Sequence, residues 1–410
     1  MTIFNLIQNK AAPSFCTSNI EVLKIIILYC KRKKLPCLVE STSNQVNQYG
    51  GYSGKTPQEF YNDIKKILKQ NNFSFKNFYM GGDHLGPLPW KKKNKKTAMN
   101  NSVQLINKCL DSNYSKIHVD TSIKCINDKI INHSIIFDRT KHILQNSKLK
   151  KKLSKIFLII GTEVPLSGSN EKGKIKLTQK SQINLEVKKF RDLLRTLYKK
   201  KLKFGLVVEP GMRFMHNSIQ RPNFTNFKPK RKISKKNNFV YEAHSTDYQP
   251  LNVLIKLVKN NFKFLKVGPE LTYNYSRSLF AMEKIEKKYL KNNFSKIKDN
   301  IMSTMLKDKK YWKEYYSGNN QKIKKLILNS KLDRMRYYLN KHKIRISIIK
   351  LKKNINSLSS EKIKKYFLFK ENKTLFDKRL VKNLSNFDLI NLIYISKSLN
   401  RYYSACGYKI

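Results

Sequence analysis

Short apolar runs of four to eight residues recur along the chain, each closing on a polar or glycine-containing cluster, with longer stretches of helical spacing between them. A short apolar run bounded by turn residues reads as a buried strand. Apolar positions three and four residues apart read as a helix packed on one face. Eight strands are predicted, at Pro13–Thr17, Cys37–Glu40, Phe78–Gly82, Lys116–Asp120, Ile156–Gly161, Phe204–Glu209, Phe239–His244 and Phe262–Gly268. The clearest helix is Ser181–Tyr198, marked by Ile183, Leu185, Val187, Phe190, Leu193, Leu194 and Leu197.

Strands alternating with helices form a parallel sheet. Eight such units over about 270 residues fit a closed TIM (β/α)8 barrel better than an open doubly wound sheet. The usual phosphate fingerprint of the open sheet, G-x-G-x-x-G after the first strand, is absent. Arg277–Leu290 is expected to be the last barrel helix. Beyond it the strand series stops, and Lys-rich helical stretches carry the aromatic pairs Tyr311-Trp312, Tyr315-Tyr316, Tyr337-Tyr338 and Tyr402-Tyr403. The expected division is a barrel over 1–295 and a helical C-terminal extension over 296–410, its aromatic residues packing either on a partner or on the barrel itself.

Residues two apart in a strand share a face. That pairs Leu38 with Glu40, His118 with Asp120, Gly161 with Glu163, Val207 with Glu209, Glu242 with His244, and Lys266 with Gly268, while the third strand ends in Gly81-Gly82-Asp83-His84. Nearly every strand thus ends on a carboxylate, histidine or lysine, at the C-terminal rim where such barrels keep their chemistry. Glu40, Asp83, Asp120, Glu163 and Lys266 are the candidate catalytic groups. Ser245, Thr246 and Gly268 fall at the corner where such barrels bind phosphate. Of seven histidines, four lie at or just after strand ends: His84, His118, His216 and His244. Three imidazoles can bind a divalent metal with a position left open, and Asp83 and Glu163 could then move protons. A metal-free polar rim accounts equally well for the same spacing.

No G-x-x-x-x-G-K-[ST] loop and no G-x-S-x-G turn occur, which argues against a P-loop kinase and a nucleophile elbow. Gly50-Gly51-Tyr52-Ser53-Gly54 could cradle a phosphate or act as a lid. The chain carries 85 Lys+Arg against 27 Asp+Glu, a net charge of +58. A basic surface attracts phosphate backbones. Here the enriched residues (Lys, Asn, Ile, Tyr, Phe) all have AT-rich codons, and basic runs such as Lys91–Lys96 lie between apolar segments without a nucleic-acid motif. No specific nucleic-acid partner is expected. Six cysteines without a C-x-x-C pair predict no disulfide framework. Met1–Lys10 lacks the charged-then-apolar pattern of a signal peptide, and Val22–Tyr29 is too short to span a bilayer. A soluble cytoplasmic protein is expected.

Several segments carry a family resemblance. They are Val39-Glu40-Ser41-Thr42-Ser43-Asn44-Gln45-Val46-Asn47-Gln48, Gly81-Gly82-Asp83-His84-Leu85-Gly86-Pro87, Lys116-Ile117-His118-Val119-Asp120, Gly161-Thr162-Glu163-Val164-Pro165, Tyr241-Glu242-Ala243-His244-Ser245-Thr246-Asp247-Tyr248-Gln249 and Asp333-Arg334-Met335-Arg336-Tyr337-Tyr338. Together they resemble the non-catalytic, Z-type subunit of class II D-tagatose-1,6-bisphosphate aldolase, a family also called tagatose 6-phosphate kinase. The resemblance implies catabolism of galactitol or N-acetylgalactosamine-type sugars, a sugar phosphate as ligand, and a catalytic class II aldolase subunit as partner, stabilised by this chain. A remoter likeness to the catalytic class II aldolases implies zinc on His84, His216 and His244, with Asp83 as proton donor and Glu163 beside the metal. On that reading the chain is itself a metal-dependent ketose-phosphate epimerase or aldolase. Asn19 stands where the family often has His, and Glu209 where Gln is common.

Overall fold

The computed structural model describes residues 2–161, 177–199, 202–222, 224, 231, 233–234, 238–290, 293–368 and 383–410. Glu163 and the rest of the Gly-Thr-Glu-Val-Pro segment after Gly161 lie outside the described residues.

All eight expected strands form: β1 (Ala12–Cys16), β2 (Cys37–Thr42), β3 (Phe78–Leu85), β4 (Lys116–Val119), β5 (Phe157–Ile160), β6 (Gly205–Val207), β7 (Val240–Ala243) and β8 (Phe262–Val267). Each pairs in parallel with its sequence neighbour, and β8 closes on β1, so the sheet is a barrel rather than an open sheet. Outside it lie α1 (Ile20–Arg32), α2 (Pro57–Gln70), α3 (Lys95–Asp111), α4 (His133–Asn146), α5 (Lys180–Tyr198), α6 (Leu251–Lys259) and α7 (Pro269–Tyr289). Local sequence sets their starts. Asn19 caps α1 by accepting from the Val22 amide at 3.1 Å. Thr56 and Glu59 form a reciprocal capping box with Pro57 in the first turn of α2. In α5 the stripe Ile183, Val187, Phe190, Leu193 and Leu194 is buried, whereas Leu185 is 53% exposed because it falls off that face.

The barrel interior is layered. Ala12, Leu38, Tyr79, Phe157, Ile159, Val207, Val240 and Phe264 fill its N-terminal half, and Ile3, Leu6 and Ile7 pack on the same cluster. Each large side chain there contributes about 1.5–3 kcal/mol by leaving water. The next residue inward on several strands is charged, so the plug floors a polar chamber at the C-terminal mouth.

After α7 come α8 (Ile297–Lys307), α9 (Asn320–Asn329), a 3-10 turn at Arg334–Tyr337, α10 (His342–Ser357), α11 (Ser360–Leu368) and α12 (Asn386–Ala405). The last helix returns to the barrel and packs on α1, α6, α7 and β1. Lys24 of α1 pairs with Asp388 at 2.8 Å, and Arg401 and Ser398 hold Glu270 at the start of α7. Tyr402 and Tyr403 are fully buried, with hydroxyls on the Thr246 and Pro36 carbonyls. These two aromatic residues pack on the chain's own barrel. All six cysteines are unpaired. Among the described residues no helix is long and apolar enough to cross a membrane.

Candidate functional site

Five strands carry charge into the barrel. Glu40 on β2, Lys116 on β4 and Glu242 on β7 are fully buried. Lys116 Nζ lies 2.7 Å from Glu40 Oε1 and 2.6 Å from Glu242 Oε2. Lys266 on β8 lies one layer nearer the mouth. Its ammonium contacts Asp83 of β3, Glu242 Oε1 at 3.0 Å and Glu40 Oε2 at 3.4 Å. Isolated buried charges are costly, but here each has opposite charges around it. Burial opposes the charge on Lys266, yet Asp83, Glu242 and Glu40 hold its ammonium well above the usual lysine range. Burial likewise opposes ionisation of Glu242, and Lys116 and Lys266 hold it well below the usual carboxylate range. Gly81 makes the layer fit, since a Cβ there would come within 3.0 Å of Glu40 Cγ and 3.3 Å of Lys116 Cβ.

Above the ion layer stand three imidazoles. The ring centroids of His84, His118 and His244 are 5.1, 4.9 and 5.1 Å apart, nearly an equilateral triangle. Each ring gives one nitrogen to a carboxylate. His118 Nδ1 is 2.7 Å from Asp83 Oδ1, His84 Nδ1 is 2.8 Å from Asp120 Oδ2, and His244 Nε2 is 2.9 Å from Glu242 Oε1. His118 Nε2 is buried with no hydrogen-bond partner. Desolvation keeps His118 and His244 neutral, pushing His244 down to about 3 with help from Lys266. Burial opposes charge on His84 too, but Asp83 and Asp120 raise it. Asp83 is held well below the carboxylate range against its burial by His84, Lys266 and His118.

Asp83 and His84 are consecutive and should face opposite ways on a regular strand. The β3–β4 register shifts between Gly82 and Leu85, and His84 takes a left-handed φ of 49°. This bulge brings both side chains to the mouth.

The structure therefore brings together Glu40, Asp83, His84, His118, Asp120, His244 and Lys266 of the expected rim, with His118 in the imidazole cluster. Two expectations need correction. His216 does not join the other imidazoles: its Nδ1 bonds Ser330 Oγ at 2.8 Å and its ring packs on Tyr316, because the chain after β6 runs out to meet the C-terminal helices. His118 takes its place in the triangle. At the expected phosphate corner Ser245 and Gly268 line the cavity, but the Thr246 hydroxyl and the Gly268 amide are taken up by internal partners. Thr246 Oγ1 is bound to the Lys266 carbonyl and the Tyr402 hydroxyl, away from the cavity. The Gly268 amide donates to Asp247 Oδ1 at 3.0 Å, and the same oxygen accepts from the Glu270 amide at 2.9 Å. Of the three, only Ser245 keeps a buried hydroxyl with no partner. Glu209, the extra rim carboxylate, is neutralised by Arg213.

The sequence pattern gave no site role to Lys116, the first residue of its strand, although it shares a face with His118. It also gave no site role to Cys16, Arg334 and Arg336. These three line a cavity of about 350 Å³ above the imidazoles, whose floor includes Asp83, His84, His244 and Lys266.

A closed parallel barrel with strand-borne carboxylates, imidazoles and lysines gathered at its C-terminal mouth is the plan of TIM-barrel enzymes and of the non-catalytic chains built like them. A family model described as "D-tagatose-1,6-bisphosphate aldolase subunit GatZ/KbaZ-like" matches residues 6–407. The chain belongs to that family. It is 32% identical over 360 residues to the D-tagatose-1,6-bisphosphate aldolase subunit GatZ of Escherichia coli O1:K1 / APEC, covering 84% of each chain. The GatZ of Escherichia coli O9:H4 (strain HS) matches with the same identity and coverage. Among solved structures, a probable tagatose 6 phosphate kinase from Sinorhizobium meliloti 1021 superposes with a TM-score of 0.83 at 25% identity, over 97% of this chain and 100% of that one. The fructuronate-tagaturonate epimerase UxaE from Cohnella laeviribosi, at 10% identity and a TM-score of 0.50, shares the fold over 98% of this chain and 82% of its own.

Proposed function

We propose that this chain is the supporting subunit of a D-tagatose-1,6-bisphosphate aldolase, acting on a separate catalytic class II aldolase chain in galactitol or N-acetylgalactosamine-type sugar catabolism. The near-full-length match to relatives named as aldolase subunits supports the assignment. The supporting role rests on one observation at the site. Asp83, the proton donor implied by likeness to the catalytic enzymes, has its carboxylate engaged by Lys266 and His118. A carboxylate locked between an ammonium and an imidazole has no proton to give at neutral pH. The chain alone therefore leaves D-tagatose 1,6-bisphosphate intact, and co-expression with a catalytic class II aldolase chain gives one sedimenting species. Cleavage by the purified chain, or separate sedimentation of the two, refutes the assignment.

A second reading has its own support. Ligand atoms of Asp83, His84, His118 and His244 all lie within 4.8 Å of one another. Three imidazoles on one tetrahedral ion, each nitrogen about 2.0–2.1 Å away, place their ring centroids about 5 Å apart. Carboxylates behind metal-ligating histidines orient the rings. Charge agrees: Glu40, Asp83, Asp120 and Glu242 exceed Lys116 and Lys266 by two negative charges, which one divalent cation on neutral imidazoles would offset. We infer that His84, His118 and His244 can hold a divalent metal, zinc being the ion imidazole suits best. Such an ion would supply Lewis acidity toward a substrate oxygen. Equal zinc content in wild type and His118→Ala would refute it.

A further inference from the structure

The cavity over the barrel mouth is polarised. Its floor carries the carboxylates and imidazoles, and part of its wall is built by the C-terminal segment: Tyr315, Arg334, Arg336 and Tyr337 all line it. Arg334 is buried, with Nε on the Tyr311 carbonyl at 2.6 Å and its guanidinium 3.7 Å from the Tyr315 ring centroid. Arg336 donates to the Leu332 and Asp333 carbonyls at 2.6 and 2.7 Å and to the Tyr337 hydroxyl at 3.0 Å. Among the described residues neither arginine has a carboxylate within 4 Å, although the chain elsewhere pairs Arg139, Arg213 and Arg401 with one. Lys91, on the loop after β3, lines the same cavity.

The arginines are held rigidly. The glycine-rich loop after β2 turns through left-handed Gly50, Gly51 and Gly54. It sets Tyr52 with its ring centroid 4.6 Å from that of Tyr337, and Tyr337 stacks on Tyr311 at 4.8 Å. Two guanidiniums fixed in a partly enclosed cavity, with the buried Asp333 beside them but no carboxylate in salt-bridge contact, suit an anionic ligand. At the usual anion corner of the barrel the Asp247 carboxylate already occupies the Gly268 and Glu270 amides, which leaves only the Ser245 hydroxyl there without a partner.

We propose that Arg334, Arg336 and Lys91 form the phosphate site of this cavity, and that its ligand is the phosphate ester of a polyhydroxy aldehyde or ketone. Its phosphate meets the arginines. Its hydroxylated end turns to the carboxylates and imidazoles of the floor, which accept and donate hydrogen bonds to hydroxyls. The choice of sugar rather than another anion rests on the family assignment above; the phosphate site itself rests on the arginines.

The test is calorimetric titration of the full chain with D-fructose 1,6-bisphosphate, inorganic phosphate and D-fructose at physiological salt, where loose attraction to the +58 surface is screened. The two phosphate probes bind, the bisphosphate more tightly, and D-fructose does not. Arg334→Met and Arg336→Met each weaken binding about tenfold or more. Lys91→Ala weakens it severalfold, and Lys92→Ala on the same loop leaves it unchanged. Unaltered binding in a folded arginine variant, equal effects of Lys91→Ala and Lys92→Ala, or no binding by wild type overturns the proposal. Should the arginine variants not fold, the lysine pair decides. Phosphate bound without preference for the bisphosphate overturns the sugar alone. Sedimentation with the catalytic aldolase is read separately, so loss of the phosphate site leaves the subunit assignment standing.

Discussion

His118 Nδ1 stands 2.7 Å from Asp83 Oδ1, while the opposite nitrogen of the ring, Nε2, is buried without a partner, and the ring lies 5.1 Å from those of both His84 and His244. The Asp83 contact favours a proton on Nδ1, which would leave the Nε2 lone pair available, while the His84 amide approaches the same Nδ1 at 3.2 Å. His118→Ala should therefore abolish bound divalent metal after zinc loading and desalting, whereas His216→Ala should retain it, since His216 is tied to Ser330. Elemental analysis of the two variants checks this; the reverse pattern would restore His216 as the ligand.

Lys116 is the closer of the two cations that hold Glu40 and Glu242 inside the barrel, Lys266 being the other. Lys116→Met keeps the stem's volume and leaves the two buried carboxylates with Lys266 alone. Breaking a buried ion pair costs about 3–5 kcal/mol. Denaturant unfolding should show a loss of that size; a change near zero would mean that water reaches the ion layer.

Gly86 follows β3 where the chain nearly touches the end of β4. A Cβ there would sit 1.6 Å from the Asp120 carbonyl oxygen, and backbone cannot yield as a side chain can. Gly86→Ala should destabilise the protein by about 3 kcal/mol or more, or prevent folding. An unchanged unfolding midpoint would show that the loop between β3 and α3 is free to move.

The strands were legible because apolar runs with polar ends are the direct imprint of a buried parallel barrel, and their polar ends marked Glu40, Asp83, His118 and His244 as neighbours. Three features were not legible. Asp83 and His84 share a mouth only through a bulge, which reverses the two-residue alternation. His216 lies after a strand end, like the true members, but the chain after β6 runs away from the barrel axis. Helix α12 is buried on nearly every face, so no amphipathic stripe says what it packs against. The resemblance placed Arg334 and Arg336 in a family motif, and only three-dimensional packing puts them over the barrel.

Asp333 is buried beside that motif. Desolvation pushes its carboxyl up to about 7 although Arg336, Arg277 and Arg334 and the Thr272 hydroxyl oppose the rise. In the unfolded chain it titrates near 3.8. The folded state thus binds its proton more tightly, so this group's contribution to stability is greatest at low pH and is lost as pH climbs from about 4 to 7. Asp333→Asn should remove this loss. At pH 8 the variant should be more stable than wild type by about 2–4 kcal/mol, and at pH 4 the two should nearly match. Equal differences at both pH values would show that the carboxylate stays charged and solvated.

The proposed role of this barrel is to support another chain. Its most direct test is the half-life of D-tagatose 1,6-bisphosphate cleavage by a catalytic class II aldolase chain at elevated temperature, with and without this chain at equal concentration. The two chains should co-sediment and the half-life should lengthen severalfold, while this chain alone shows no cleavage. An unchanged half-life with separately sedimenting chains, or cleavage by this chain alone, would contradict the claim.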